Sequence, residues 1–215
     1  MKGGILKQWF GIAALIFLWA CNVSVNQSVT VKDGATRIGT INTVNGNIVI
    51  GNHCVVKGSA RAVNGRIEVG EKSRVQSLQT VNGPVSIGRD TQVDGDIGSV
   101  NGSITCDAGV SVLGKVAGIN GVIELKRTTV ERDVTTVLGN VSLLDHSGVN
   151  GDLVVKEAKG SSHKNRRLKI VLDDGSVVKG DVRVEDPDIQ VQVYLSNGAK
   201  VEGRVIDAEV VESGN

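Results

Sequence analysis

The stretch that decides the fold reads Val44-Asn45-Gly46-Asn47-Ile48-Val49-Ile50. It returns as Val63-Asn64-Gly65-Arg66-Ile67-Glu68-Val69, and the Val-Asn-Gly element recurs at residues 81 and 100. Related copies begin at residues 25, 119 and 137, so that successive copies start 18 or 19 residues apart. A period of this length predicts a solenoid, in which each repeat forms one coil and buries its apolar side chains by stacking on the next.

Three columns of aliphatic residues keep register with this period. Two of them occupy the fourth and sixth positions after the start of each copy, a spacing typical of a strand with one buried face. We expect the valines and isoleucines to stack in parallel strands about 4.8 Å apart. At the Val-Asn-Gly corner, glycine is expected to supply a positive φ and asparagine to hydrogen-bond along the stack. The columns are Val29, Ile48, Ile67, Val85, Ile104, Ile123 and Val141; Val31, Ile50, Val69, Ile87, Cys106, Leu125 and Leu143; and Ile38, Val56, Val75, Val93, Val112, Val130 and Val149.

Two further coils are disguised by insertions. The segment Val55-Val56-Lys57-Gly58 is repeated as Val177-Val178-Lys179-Gly180. This repeat aligns Ile170 and Leu172 with the columns at the fourth and sixth positions. A last copy aligns Val193 and Leu195. Both insertions, near 156–167 and 183–188, fall at the same corner. The sequence therefore predicts an all-β protein, a parallel β-helix of about nine coils, and the column pattern favours a right-handed helix over the left-handed hexapeptide form.

The N-terminus predicts export. Lys2 and Lys7 precede an apolar run from Trp9 to Ala20, which is shorter than the roughly 20 residues that span a bilayer and indicates a signal-peptide helix over residues 1–20. The sequence Leu18-Trp19-Ala20-Cys21 resembles the lipobox of bacterial lipoproteins. That resemblance implies acylation of Cys21, a mature solenoid domain over 21–215, and a lipid-anchored protein on the periplasmic or surface side of the cell envelope. Asn22, where an Asp would favour the inner membrane, favours the outer membrane; an ordinary secretory signal cleaved elsewhere is the alternative.

The repeat pattern over Val25–Leu153 resembles bacterial adhesin-like β-strand-repeat domains and the bactofilins, which are polymer-forming cytoskeletal proteins. The second resemblance implies a right-handed β-helix and end-to-end self-association. A bactofilin faces the cytoplasm, whereas this chain carries an export signal, so a cytoskeletal role does not follow.

The composition beyond residue 20 argues against nucleic-acid binding. Removing Lys2 and Lys7 leaves 22 of the 24 basic residues against 23 acidic ones, and Tyr194 is then the only aromatic residue. Nucleic acids require clustered cations and, for single strands, stacking aromatic side chains. Sugar-binding clefts also favour aromatic platforms. The sequence gives no motif for a cofactor.

The sharpest charge feature is a predicted basic loop between Lys156 and Lys169. We expect it to contact anionic phosphate groups of the envelope or an acidic envelope protein. A solvated loop is the plainer interpretation, and pairing with the acidic insertion that carries Glu185, Asp186 and Asp188 is a third. The cations are Lys156, Lys159, Lys164, Arg166, Arg167 and Lys169.

No catalytic or metal constellation is predicted. Cys54 and Cys106 fall in different columns three coils apart, about 14 Å at the strand spacing, beyond disulfide reach. His53, His146 and His163 are expected at unrelated columns without neighbouring ligands, and the adjacent residues of Asp145-His146-Ser147 cannot form a triad alone. The leading hypothesis is a non-enzymatic envelope lipoprotein that acts as a binding or structural module. A self-assembling, bactofilin-like scaffold and, less favoured, a hexapeptide-type acyltransferase are the alternatives.

Overall fold

The structure is a computed structural model that describes residues 23–158 and 166–212. All regular structure in these two ranges is β-strand. No helix among the described residues is long and apolar enough to cross a bilayer. The predicted signal-peptide helix and Cys21 lie outside the described residues.

The strands form three parallel sheets that share one core, and each coil contributes one strand to each sheet in turn. Sheet A contains β1 (Val23–Ser24), β4 (Ile41–Asn45), β7 (Ala60–Asn64), β10 (Leu78–Asn82), β13 (Ile97–Asn101), β16 (Val116–Asn120), β19 (Val134–Thr136), β22 (Leu153–Val155), β25 (Val182–Val184) and β28 (Val205–Ile206). Sheet B contains β2 (Val29–Val31), β5 (Ile48–Ile50), β8 (Ile67–Val69), β11 (Val85–Ile87), β14 (Ile104–Cys106), β17 (Ile123–Lys126), β20 (Val141–Leu144), β23 (Arg166–Leu172), β26 (Ile189–Leu195) and β29 (Glu209–Glu212). Sheet C contains β3 (Thr36–Ile38), β6 (Val55–Lys57), β9 (Arg74–Val75), β12 (Gln92–Val93), β15 (Ser111–Val112), β18 (Thr129–Val130), β21 (Gly148–Val149), β24 (Val177–Val178) and β27 (Lys200–Val201).

This arrangement confirms a parallel β-solenoid of about nine coils, including the two disguised ones. Val141 pairs with Ile170, and Ile170 pairs with Val193, in the register that the repeated Val-Val-Lys-Gly words predicted. The right-handed sense of the coil stays a prediction.

The core columns of sheets B and C are confirmed with one exception. Most of their inward residues, such as Ile48, Ile104 and Val112, are fully buried, and Val29 in the first coil is half-buried. Ile38 is the exception: it pairs with Lys57 and is 80% exposed, while Arg37 takes the position opposite Val56. A one-residue difference in the turn before β3 therefore changes which residue faces the core, because successive strand residues point to opposite faces.

Sheet A supplies a further core column that the valine of Val-Asn-Gly had obscured. From β4 to β25 the first and third residues of each strand face inward, and the first ones include Ile41, Leu78 and Ile97. The valine of the motif, for example Val63 or Val81, is only half-buried because it lies on the outer side of the sheet.

The glycine column at the corner between sheets A and B has a different cause from the one expected. Gly46, Gly65, Gly83 and Gly102 do not have a positive φ. A Cβ at any of them would instead overlap the backbone carbonyl of the coil before it, such as that of Gly65 for Gly83. Gly121 in the same column has a φ of 157°, and Asn26 and Asp207 have positive φ at this corner. Positive φ recurs in every coil at the corner between sheets B and C, at Gly34, His53, Lys72, Asp90, Gly109, Arg127, His146, Gly175 and Gly198.

Side-chain ladders connect the coils along the corners. The predicted asparagine ladder is present: Asn64 Nδ2 donates to Asn45 Oδ1 at 2.8 Å and Asn82 Nδ2 donates to Asn64 Oδ1 at 2.7 Å, within a series that runs from Asn26 to Asn120. Among the described residues, no buried side-chain nitrogen or oxygen lacks a hydrogen-bond partner.

Candidate functional site

The solenoid departs from its period at one corner, where the chain passes from sheet A to sheet B in two consecutive coils. Strands β23 and β26 each have seven residues, whereas the sheet B strands before them have three or four. Their first four residue pairs, Arg166–Lys169 against Ile189–Gln192, extend beyond the strand of the preceding coil, which pairs only with residues 170–172. We call this two-stranded extension the ribbon.

The ribbon corrects the prediction of a basic loop. Arg166, Arg167 and Lys169 lie in strand β23, with Leu168 buried between them. Leu168, Ile189 and Val191 are buried at 2%, 6% and 3% exposure, so the insertions add to the core. Lys159 and Lys164 lie outside the described residues.

The two insertions contact each other, as the third interpretation of the charge pattern expected. Lys156 Nζ lies 2.9 and 3.0 Å from the two carboxylate oxygens of Glu185. Asp186, which is 5% exposed, accepts hydrogen bonds from the backbone N–H groups of Ala158 at 2.8 Å and Asp188 at 2.9 Å. The acidic insertion therefore neutralises Lys156 and holds the start of the basic one.

The outer face of the ribbon carries cations and amides, and the ring of Tyr194 lies next to them in β26. Arg167 Nε donates to Gln190 Oε1 at 3.2 Å, and Lys169 Nζ lies 5.6 Å from the centroid of the Tyr194 ring. The Tyr194 hydroxyl donates to Gln192 Oε1 at 2.9 Å. These side chains present hydrogen-bond donors and an aromatic surface, through which a partner could bind. Alternation along Ile189–Leu195 in the sequence could have predicted Gln190, Gln192 and Tyr194 on one face.

An open groove of about 660 Å³ lies along the ribbon on the side of the C-terminal coil. It arises because β29 pairs only with Gln192–Leu195 of β26, so the backbone of Ile189–Val191 has no paired strand on that side. The groove contains both charge signs. Its lining residues are Arg167, Ile189, Gln190, Val191, Gln192, Asp207, Ala208 and Glu209.

The histidine prediction needs a correction. His53 and His146 occupy the same corner column, with φ of 57° and 61°, although five coils, about 24 Å at the strand spacing, separate them. His146 also has neighbours: one potential ligand atom each of Asp145, His146 and Asp174 lies within 4.8 Å of the others. A hydrogen bond from Arg127, whose Nη2 lies 2.8 Å from Asp145, lowers the pKa of the Asp145 carboxyl. His163 lies outside the described residues.

Ser147 and the cysteines serve the interior. The Ser147 hydroxyl lies within hydrogen-bond distance of the carbonyl oxygens of Leu125 at 2.9 Å and Leu144 at 2.7 Å, in a corner column of buried small residues. Cys54 and Cys106 are both buried and free, in line with the prediction that no disulfide joins them. Burial raises the pKa of the Cys106 thiol to about 12.

The comparisons with known proteins add no relative. No family model, no curated protein and no solved structure matches this chain. The class of the protein is therefore defined by its fold, a parallel β-solenoid with a two-stranded ribbon near its C-terminal end.

Proposed function

We propose that this protein is a non-enzymatic envelope lipoprotein, in which a rigid β-solenoid is tethered to a membrane through acylated Cys21 and presents its ribbon to a partner. The observation that carries the proposal is the contrast between the regular coils and the ribbon. The regular coils, whose lengths differ by no more than one residue, serve as a spacer. The binding groups are concentrated at the corner that carries the two insertions, which is the ribbon.

The tether rests on the lipobox resemblance of Leu18–Cys21. Several acyl chains hold a protein firmly, since each buried methylene contributes about 0.8 kcal/mol. The experiment is to replace Cys21 by Ser and to separate membranes from the soluble fraction. Release of the Cys21→Ser protein supports the tether, and retention on the membrane contradicts it. Cys54→Ser is the matched control, because Cys54 is buried within the solenoid.

The partner is expected to be an acidic envelope protein or an anionic phosphate group of the envelope. Arg167 and Lys169 are exposed on the outer face of the ribbon, and Arg166 is exposed where β23 begins. The acidic insertion forms an ion pair with Lys156, whereas these three cations remain exposed to solvent. Such cations steer an acidic partner and set the orientation in which it binds.

The test is a pull-down from crosslinked cells that compares the wild type with the triple variant Arg166→Gln, Arg167→Gln and Lys169→Gln. Loss of a specific partner in that variant supports the ribbon as its binding site. The control variant carries Arg61→Gln, Lys72→Gln and Arg89→Gln, which removes the same charge from coils far from the ribbon. Equal capture by both variants would place the partner elsewhere.

A second candidate function is a self-assembling scaffold, because the terminal strands of all three sheets have a neighbour on one side only among the described residues. Unpaired strand edges favour pairing with another chain. Sedimentation of the Cys21→Ser protein tests it: growth of long particles with concentration supports assembly, and a strict monomer at high concentration contradicts it. The tether disfavours this candidate, since Cys21 lies at the end that a second copy would need.

A further inference from the structure

The first coil differs from the others in the side chains it exposes. Five large hydrophobic residues are exposed in the part of the chain that the structure describes, and the two most exposed, Val25 at 59% and Ile38 at 80%, both lie in the first coil. Ile38 pairs with Lys57, and the corresponding position of the next coils is held by Gln76 and Asp94. The later residues of this column are polar except Leu113, which is 39% exposed, so the 80% exposure of Ile38 distinguishes this level of the rod.

Cations accompany these apolar side chains. Lys32 is exposed, and Arg37 is half-buried at the position where later coils have a core valine. The only acid of the first coil, Asp33, already accepts a hydrogen bond from the backbone N–H of Asn52 at 2.9 Å.

The two ends of the solenoid carry opposite charge. Two cations, Lys32 and Arg37, outnumber one acid in the first coil, whereas residues 196–212 contain two cations and four acids. An anionic surface therefore favours contact with the first coil over contact with residues 196–212.

The chain length between the tether and the first strand is short. Val23 begins β1, two residues after Cys21. Two residues span at most about 7 Å when fully extended. If Cys21 is acylated, this reach keeps β1, and with it the first coil, next to the headgroups of the bilayer.

We propose that the first coil is a membrane-docking surface, in which Val25 and Ile38 enter the interface of an anionic phospholipid bilayer while Lys32 and Arg37 contact its headgroups, so that the solenoid stands upright. This inference rests on the proposed tether. It assigns an orientation that acylation alone does not give, because a flexible lipid anchor also permits a rod that lies flat.

The test uses the full chain, purified from the bacteria that express it and added to vesicles of phosphatidylcholine and phosphatidylglycerol, and measures the height of two fluorophores above the bilayer. The dyes are placed by Thr36→Cys in one protein and Lys200→Cys in another, and energy transfer to a headgroup acceptor reports each height. Both positions belong to one column of sheet C, so they are equally far from the rod axis. An upright rod places the second dye about 38 Å higher, since eight strand spacings separate them.

Two comparisons make the result specific. The variant Ile38→Ser with Arg37→Gln should tilt the rod and reduce the height difference below about 20 Å, half of the eight spacings. Leu113→Ser should leave the difference unchanged, because Leu113 has the corresponding position four coils further along the rod and is 39% exposed. Vesicles of phosphatidylcholine alone should also reduce the difference.

The possible outcomes distinguish failure of membrane docking by the first coil from failure of the tether at Cys21. A chain that does not stay with the vesicles lacks the tether, and both proposals fail. A retained chain with two dyes at equal height lies flat, which overturns the upright orientation and leaves the tether intact. Particles that lengthen by whole rods on the vesicles would mean that a second copy covers the first coil, and the docking surface would then be overturned.

Discussion

Substituting Gly102 by Ala should destabilise the solenoid because the coils leave no space for one methyl group at that corner. A Cβ there would overlap the carbonyl group of Gly83 and lie 2.9 Å from the backbone nitrogen of Pro84. These are backbone atoms of the preceding coil, and Gly102 N–H itself donates to the Asn120 carbonyl of the next coil at 3.0 Å. Overpacking costs about 1–3 kcal/mol, and the rigid neighbours place this substitution near 3 kcal/mol.

Gly98 in the same coil provides the matched control. Its built Cβ has its nearest contacts at 3.9 Å, with Ala117 O and Gln79 Cγ, and neither glycine has a left-handed φ. Gly98→Ala should therefore stabilise the chain by about 0.5–1 kcal/mol, because alanine loses less conformational freedom on folding.

The assay is urea unfolding of the purified proteins, followed by far-ultraviolet circular dichroism because Tyr194 is the only aromatic residue beyond residue 20. The unfolding midpoints are compared between proteins with the same m value, so that a shift of the midpoint reports a change in the free energy of unfolding. If Gly102→Ala unfolds at the same urea concentration as Gly98→Ala, the coils do have room for the methyl group, and close packing does not explain the glycine column.

Three further predictions use the same measurements. Asn82→Ala should lower the free energy of unfolding by about 1 kcal/mol, because Asn82 both donates at 2.7 Å and accepts at 2.9 Å in the asparagine ladder. An unchanged midpoint would mean that the ladder does not contribute to stability. Ile104→Ala should cost about 3–4 kcal/mol because Ile104 is fully buried, whereas Ile38→Ala at 80% exposure should change stability by less than about 0.5 kcal/mol. Burial raises the pKa of Cys106 from 9.0 to about 12, so the native thiol should resist maleimide at neutral pH. Its contribution to stability is complete below pH 9 and falls as the pH rises towards 12; a pH dependence unchanged in Cys106→Val would contradict this.

The sequence predicted the solenoid because its core depends on columns, and columns are visible as a period. Ile48, Ile67 and Ile104 could be aligned without coordinates, since every coil must present an apolar residue at the same level. The first coil was harder, because its turn differs by one residue. Ile38 and Arg37 therefore exchanged their expected faces.

The candidate site was less predictable because it depends on contacts between insertions. The charge pattern indicated that Lys156 could meet the acidic insertion, and the structure pairs it with Glu185. The pattern could not show that Arg167 and Lys169 extend a strand, since strand length depends on the coil that follows. The reason for glycine at the corner was also hidden, because a close approach between coils and a positive φ select the same residue.

The departures from regularity are concentrated at two levels of the rod, and their separation gives a reason for the regular coils between them. Val25 and Ile38 expose apolar surface in the first coil, and the ribbon begins seven coils later at Arg166. Seven strand spacings correspond to about 34 Å. If the first coil docks on the bilayer, the ribbon stands beyond the headgroup region and beyond the Debye length of about 8 Å at physiological ionic strength. The cations of the ribbon would then be free of the membrane's own field and available to a partner in the aqueous space.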